Sequence, residues 1–428
     1  MAFKHHALFL SITSLVAASA TQAAGFYLKE QSIVSQGAAY AGATARSDTA
    51  SSIYFNPAGI AGMGTVFEGG AHVLLMDQEV SDAGTASTAV NPANPLTATP
   101  GAIALLTNTS TQEPLDTKLL PNVYYTTDAL GGTVGVGISA PFGSSNEYAS
   151  NFVGAMDSYE TSLKTVNISG AYAKEIQPGL RLGGSVILQT AEIEQFKQSA
   201  YGPASVKGDS HDIGWAVGLQ KDLASGGAIG LSYLSGFSQD IEGTQTIAAA
   251  GINAVPARGT LELPSILSLG AIIPVSNGTN LMFDVSRYDW DTLSTTPIIT
   301  TGGSDTVLNF NYKDTTSLSL GVEHDYGDGM VVRAGWMRDP TPTNDIDRSL
   351  MTPDGDRDWL TLGFSKKLSK DLTIDFAYSH IMVDKGVVNK RVYTSGSATA
   401  PATLTWTDVK AEADTTIDII SLGIRKTF

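Results

Sequence analysis

The sequence predicts an all-β fold: a 14-stranded antiparallel transmembrane β-barrel with an N-terminal plug in its lumen. Three observations predict it. Apolar residues recur with period two along fourteen segments, and the connections between those segments alternate between tight turns and long loops. No run beyond the N-terminus is apolar for the ~20 residues that a membrane helix needs. Composition agrees, with 16% charged residues, 44 Gly and a mean hydropathy of +0.03, where soluble domains carry roughly 25% charge. With 42 Asp+Glu against 26 Lys+Arg, the net charge of −16 argues against a nucleic-acid partner, because phosphate binding needs clustered bases. The absence of cysteine excludes disulfides and thiolate metal sites.

The first element is a targeting segment, residues 1–23. Lys4, His5 and His6 form a positive end, Ala7–Ala20 is uncharged and apolar, and small residues follow at Thr21-Gln22-Ala23. Cleavage is expected after Ala23, with Ala24 as the alternative. The chain is therefore exported.

The barrel, residues 65–428, follows from the alternation. In the last strand Ile420, Leu422, Ile424 and Phe428 alternate with Ser421, Gly423, Arg425 and Thr427. One face of such a strand meets a greasy medium and the other a polar one. Equivalent segments lie at 65–77, 118–127, 131–140, 160–175, 179–193, 210–222, 226–241, 260–274, 278–291, 313–326, 329–338, 357–368, 371–385 and 414–428. Turn-like gaps such as Asp128–Leu130 and Gly327-Asp328 alternate with long ones at 78–117, 141–159, 194–209, 242–259, 292–312, 339–356 and 386–413. Outer-membrane barrels sort their loops this way, with short turns on the periplasmic side. In hydrocarbon every backbone group must be paired within the protein, so a chain without spanning helices must close its sheet. Tyr124, Tyr125, Tyr288, Trp290, Trp336, Trp359 and Tyr378 near strand ends are expected in interfacial girdles.

Residues 24–64 do not alternate. Small residues dominate in Gly37-Ala-Ala-Tyr-Ala-Gly42, and Asn56-Pro57 is a turn signal. A disordered tail would carry more charge and less Ile, Tyr and Phe. A lumen this wide is not closed by its own wall side chains, so the segment is read as a compact plug.

The Ala24-Gly-Phe-Tyr-Leu28 start, Asn56-Pro57-Ala58, Ala140-Pro-Phe-Gly143, Asn167-Ile-Ser-Gly-Ala-Tyr172, Arg333-Ala-Gly-Trp336 and Pro353-Asp-Gly-Asp-Arg357 occur in an order that resembles the FadL/TodX-type channels for long-chain fatty acids and hydrocarbons. The resemblance implies passive uptake of a hydrophobic small molecule, most simply a long-chain fatty acid, captured at the outer loops and released sideways through the wall when a hatch moves. Asn56, Pro57 and Ala58 would be the hatch turn. Gly135, Gly137 and Pro141 would weaken the third strand at a lateral opening. Phe152, Val153, Met156 and Tyr159, at helical spacing in the loop 143–160, would offer a capture surface. The family places bases inside the barrel to meet the carboxylate. Here Gln195 and Leu308 stand near those places, leaving Lys197 and Lys313 as the candidate carboxylate partners. An aromatic or aliphatic hydrocarbon cargo, or a surface adhesin or receptor barrel, are the alternatives.

No enzyme motif is present: no Gly-x-Ser-x-Gly elbow, Walker loop or His-Glu-x-x-His. His72, His211, His324 and His380 have no ligand spacing, and Asp354, Asp356 and Asp358 read as a solvated acidic loop, so neither cofactor nor metal is expected. The expected setting is the outer membrane of a Gram-negative bacterium, as a monomer in contact with lipid and lipopolysaccharide.

Overall fold

A computed structural model describes residues 25–87, 106–199, 201–224, 226–300, 306–397 and 400–428; the expected signal segment 1–23 lies outside the described residues. Fourteen antiparallel strands make the wall. The first seven are β1 (Val66–Asp82), β2 (Lys118–Ala129), β3 (Gly132–Ser139, resuming as Gly143–Glu147), β4 (Glu160–Gln177), β5 (Leu180–Ser199), β6 (Gly202–Asp222) and β7 (Ala228–Leu234, resuming as Phe237–Ile247). Then come β8 (Ile252–Leu263, resuming as Ile266–Ser276), β9 (Thr279–Tyr288), β10 (Thr315–Asp325), β11 (Met330–Asp339), β12 (Arg357–Lys367), β13 (Leu372–Ser397) and β14 (Ala400–Thr427). β14 returns to pair with β1 from Val66↔Thr427 to Asp82↔Ala411, so the sheet closes into a ring.

Each of the fourteen predicted segments lies on its own wall strand, with the expected facing in the last. On β14, Ile420, Leu422 and Ile424 point outward, while Ile417, Ile419 and Ser421 are buried against the interior. The β2–β3 turn has Leu130 (φ +56°) and Gly131 (φ +71°) at its tip, the two-residue geometry that matches strand twist.

Two expectations are corrected. Residues 194–209 are not a loop, because β5 and β6 run on in register to Ser199↔Gly202. The β7–β8 ladder likewise runs through the expected loop 242–259 to Ile247↔Ile252, and the β13–β14 ladder continues far into 386–413. Above the membrane both faces of a hairpin can be wet, so polar strands such as Thr244–Thr246 carry no alternation to read. Among the aromatics, Tyr124, Tyr288, Trp290 and Trp359 are buried in the interior instead of lying in a girdle. Neighbours such as Tyr124 and Tyr125 cannot both face lipid on a period-two strand.

Residues 25–64 fill the ring with short pieces: α1 (Ile33–Gln36), a 3₁₀ turn at Ala43–Ala45, α2 (Ser52–Phe55) and a 3₁₀ turn at Pro57–Ile60. Their partners lie all round the wall. Gln31 bonds Ala140 after β3, Asn56 bonds Leu219 on β6, Gly42 bonds Phe283 on β9, and Gln36 bonds Ser379 on β13. Backbone meets backbone where side chains vanish: a Cβ on Gly37 would come within 2.6 Å of the Gly363 Cα. A Cβ on Gly335 would strike Ala38. These wall glycines exist to let the plug sit close.

Candidate functional site

The site begins at the interruption in β3. Pro141 has no N–H to offer a ladder, and the strand leaves the sheet between Ser139 and Gly143. Its backbone pairs with the plug instead. Leu28 N–H donates to the Pro141 carbonyl at 2.7 Å, and Gly143 N–H donates to the Phe26 carbonyl at 2.7 Å. The Gln31 side chain closes on Ala140 from both sides, donating to its carbonyl at 2.9 Å and accepting from its N–H at 3.1 Å. The consequence falls on β2. Lys118 to Asn122 pair with β1 on one side, but the β2–β3 ladder stops at Val123↔Ile138, so among the described residues their other edge has no ladder partner. The wall is thinned there.

Gly135 and Gly137 lie just below the break. A Cβ on Gly135 would come within 2.6 Å of the plug residue Ile53, and one on Gly137 within 2.8 Å of the Tyr124 ring. The first glycine therefore seats the plug against the weakened strand, and the second makes room for an inward-facing tyrosine. Asn56, Pro57 and Ala58 are seated two to three strands further round the wall, on β5 and β6. Asn56 Oδ1 caps the turn by accepting from Ala58 N–H at 3.1 Å, and its Nδ2 donates to the carbonyls of Thr44 (2.6 Å) and Leu219 (3.2 Å). Any side chain at Gly183 or Gly218 would collide with this turn. At the periplasmic end, buried Arg46 of the plug pairs with Glu323 on β10 at 3.1 Å, and Arg333 on β11 holds the same carboxylate at 2.6 Å.

Above the break runs an apolar column. Its outer end is a pocket bounded by Ile193, Gln195, Ile241, Leu261, Leu308 and Phe310, with Lys207 and Arg258 at the lining. Leu308 and Phe310 join Phe26, Phe142 and Trp290 in one continuous cluster that reaches Tyr27 and Tyr288. Phe26 is its hub, with ring centroids 6.3 Å from Trp290, 6.0 Å from Phe310 and 5.8 Å from Tyr312. Beneath lies a second chamber lined by Tyr27, Lys29, Tyr54, Asp284, Tyr288 and Ser317, among others. The Lys29 ammonium donates to Tyr288 Oη at 2.5 Å and Ser317 Oγ at 3.0 Å, while its nearest carboxylate, Asp339, stays 3.9 Å away. Burial pushes the neighbouring Glu30 carboxyl up to about 7, against the pull of Arg357 and Lys29.

The other sequence-predicted residues lie elsewhere. Phe152 and Met156 are buried, and Phe152 packs with Tyr148, Leu350, Val388 and Val409, with Val153 and Tyr159 at the edge of that cluster. The expected helix does not form. The segment is a run of turns, because its backbone is engaged by residue 108: Asn108 N–H donates to the Asn151 carbonyl and Val153 N–H to the Asn108 carbonyl. Lys197, on the outer end of β5, lies close to Asp157 and Lys390, and Lys313 lines a polar cleft with Asp345, Arg348 and Asp384. Neither lines the apolar column. Asp354 is not solvated: it is buried, accepting from Gly25 N–H, Thr341 Oγ1 and Arg357. Sequence reasoning missed Lys29, although a Lys-Glu pair in a segment with no other charge before Arg46 was a visible signal.

Comparison with known proteins matches this architecture. Residues 14–428 match the family described as outer membrane protein transport protein (OMPP1/FadL/TodX). A long-chain fatty acid transport protein of Salmonella typhi is 26% identical, over 88% of this chain and 92% of that protein. The crystal structure of a Pseudomonas aeruginosa FadL homologue superposes with a TM-score of 0.80 at 19% identity, covering 94% of this chain and 99% of the other. The toluene transporter TodX of P. putida gives 0.62 at 16% identity, covering 92% and 97%. Closed barrel, interrupted third strand and matched sequence agree, and the chain belongs to the OMPP1/FadL/TodX family of outer-membrane transport proteins.

Proposed function

We propose that the chain admits long-chain fatty acids passively across the outer membrane, with residues 24–64 as a hatch turning on Asn56, Pro57 and Ala58. The thinned wall between β2 and β3, beside Gly135, Gly137 and Pro141, serves as the lateral exit. One observation carries the substrate: a buried ammonium, Lys29, stands at the foot of a continuous apolar column, held by neutral hydroxyls with its nearest carboxylate 3.9 Å off. A carboxylate stripped of water needs such a partner, and an alkyl chain needs such a column. Lys197 and Lys313 act earlier, on a ligand still among the outer loops, where Tyr159 and Val153 border the surface. Phe152 and Met156 support that surface from beneath. The outward-facing apolar residues of the wall, such as Ile420, Leu422 and Ile424, support a monomer set in lipid and lipopolysaccharide.

The test is uptake of labelled oleate by cells lacking their own fatty-acid channel, with and without this protein and its Lys29→Met variant. Protein-dependent uptake that the variant loses is expected. No gain despite confirmed barrel insertion sinks the fatty-acid reading. One observation favours a second cargo: Gln195 and Leu308, where a base was sought, both line the outer pocket. Toluene uptake indifferent to Lys29→Met, without oleate uptake, selects the hydrocarbon reading.

A further inference from the structure

We propose that Glu30 takes up a proton when an anionic ligand settles on Lys29, so that ligand and proton occupy the lumen together. The inference rests on the fatty-acid reading of the inner chamber and names the residue that sets the charge state in which the ligand is held.

The argument is a charge inventory. Around the chamber the structure buries two cations, Lys29 and Arg357, with four carboxylates: Glu30, Asp284 on β9, Asp339 on β11 and Asp354 from the outer loop. All are at most 6% exposed. Like charges in a dry interior repel strongly, and one of them then holds a proton. An arriving ligand carboxylate adds one more negative charge where no further base is at hand.

Two of the four carboxylates accept hydrogen bonds, and a third leans on Lys29 from a distance. Asp284 accepts from Thr44 N–H at 3.0 Å, Asp339 faces Lys29 at 3.9 Å, and Asp354 accepts from Arg357 at 2.5 Å. Glu30 is different: its Oε2 is fully buried with no hydrogen-bond partner. The groups that face it are Lys29 and Tyr40 from its own segment, Asp339 from β11 and Arg357 from β12. Arg357 gives one nitrogen to Asp354 and is shared between Glu30 and Asp339. A ligand that draws the Lys29 charge to itself leaves Asp339 and Glu30 to share Arg357, and Glu30, whose Oε2 accepts no hydrogen bond, takes a proton from solvent and becomes a neutral acid.

The sign follows. With its carboxyl raised to about 7, Glu30 is already protonated below neutrality, and binding there is independent of pH. Above about pH 7 a proton must be taken up with each ligand, so affinity falls by up to about tenfold per pH unit.

The test uses the full chain in detergent micelles with two probes: hexadecanesulfonate, ionised throughout, and hexadecanol, always neutral. Wild-type affinity for the sulfonate should be flat up to near neutrality and about tenfold weaker one unit higher, with Glu30→Gln flat over the whole range and hexadecanol flat in both. Calorimetry of the wild-type protein in buffers of different ionisation enthalpy should find about one proton taken up per sulfonate near pH 8. A flat wild-type curve, a slope that survives in Glu30→Gln, or no proton uptake overturns the inference. Sulfonate binding unchanged in Lys29→Met overturns the underlying fatty-acid reading itself, whatever the slope.

Discussion

Leu28 and Pro141 are joined by a 2.7 Å hydrogen bond from the plug's N–H to the wall's carbonyl, so the third strand is completed by the plug and not by its neighbour in the sheet. The edge of β2 from Lys118 to Asn122 is left without a ladder partner as a direct result. Position of the plug and continuity of the wall are therefore one variable.

Closing that edge should stop transport. Asn122 and Ser139 would be the next pair if the β2–β3 ladder continued past Val123↔Ile138. The native chain has no cysteine to interfere with an Asn122→Cys/Ser139→Cys pair. Oleate uptake is expected to fall to background on oxidation and to return with reductant; uptake that ignores the crosslink would exclude exit beside β3.

Lys29→Met should weaken binding of a fatty-acid carboxylate by roughly tenfold to a hundredfold, the worth of about 1.5–3 kcal/mol for a hydrogen bond to a charged group. Binding of the matching fatty alcohol should stay within about twofold. Displacement of a fluorescent fatty acid from the purified protein measures both.

Asn56→Ala removes one accepted and two donated hydrogen bonds that hold the hatch turn. At about 0.5–1.5 kcal/mol each, the loss should speed amide exchange across residues 44–60 by tenfold or more while wall amides keep their protection. Equal protection in the variant would mean the turn is held by shape alone.

Arg46→Met should loosen the periplasmic end without unfolding the barrel, because Glu323 keeps Arg333 at 2.6 Å. The prediction is a higher frequency of open events in planar-bilayer recordings and greater sensitivity of cells to large antibiotics. A wild-type recording from the variant would show that this ion pair carries no part of the closure.

How far the sequence could be read depends on what water leaves behind. Strands inside the membrane were legible because lipid punishes a misplaced polar group at every second residue, as Ile420, Leu422 and Ile424 show. The hairpin beyond Gln195 was not, since both its faces can be wet. Direction was ambiguous for aromatics: Trp290 and Trp359 satisfy a girdle pattern and a lumen pattern equally well until the register is known. Asn56-Pro57-Ala58 was found as a turn, yet its seats at Gly183 and Gly218 are more than a hundred residues away and leave no local trace. Lys29 shows in sequence only as half of a Lys-Glu pair in a stretch with no other charge before Arg46; the hydroxyls of Tyr288 and Ser317 make it a site.

The glycine seats also set the bore of the barrel. Gly37 lies on Gly363 with no side chain between them, and Asn56 sits where any residue larger than glycine at 218 would stand. A wall strand can come no nearer the axis than residues 25–64 allow, and the glycines let it come that near, so the segment acts as the mandrel that gauges the cylinder around it.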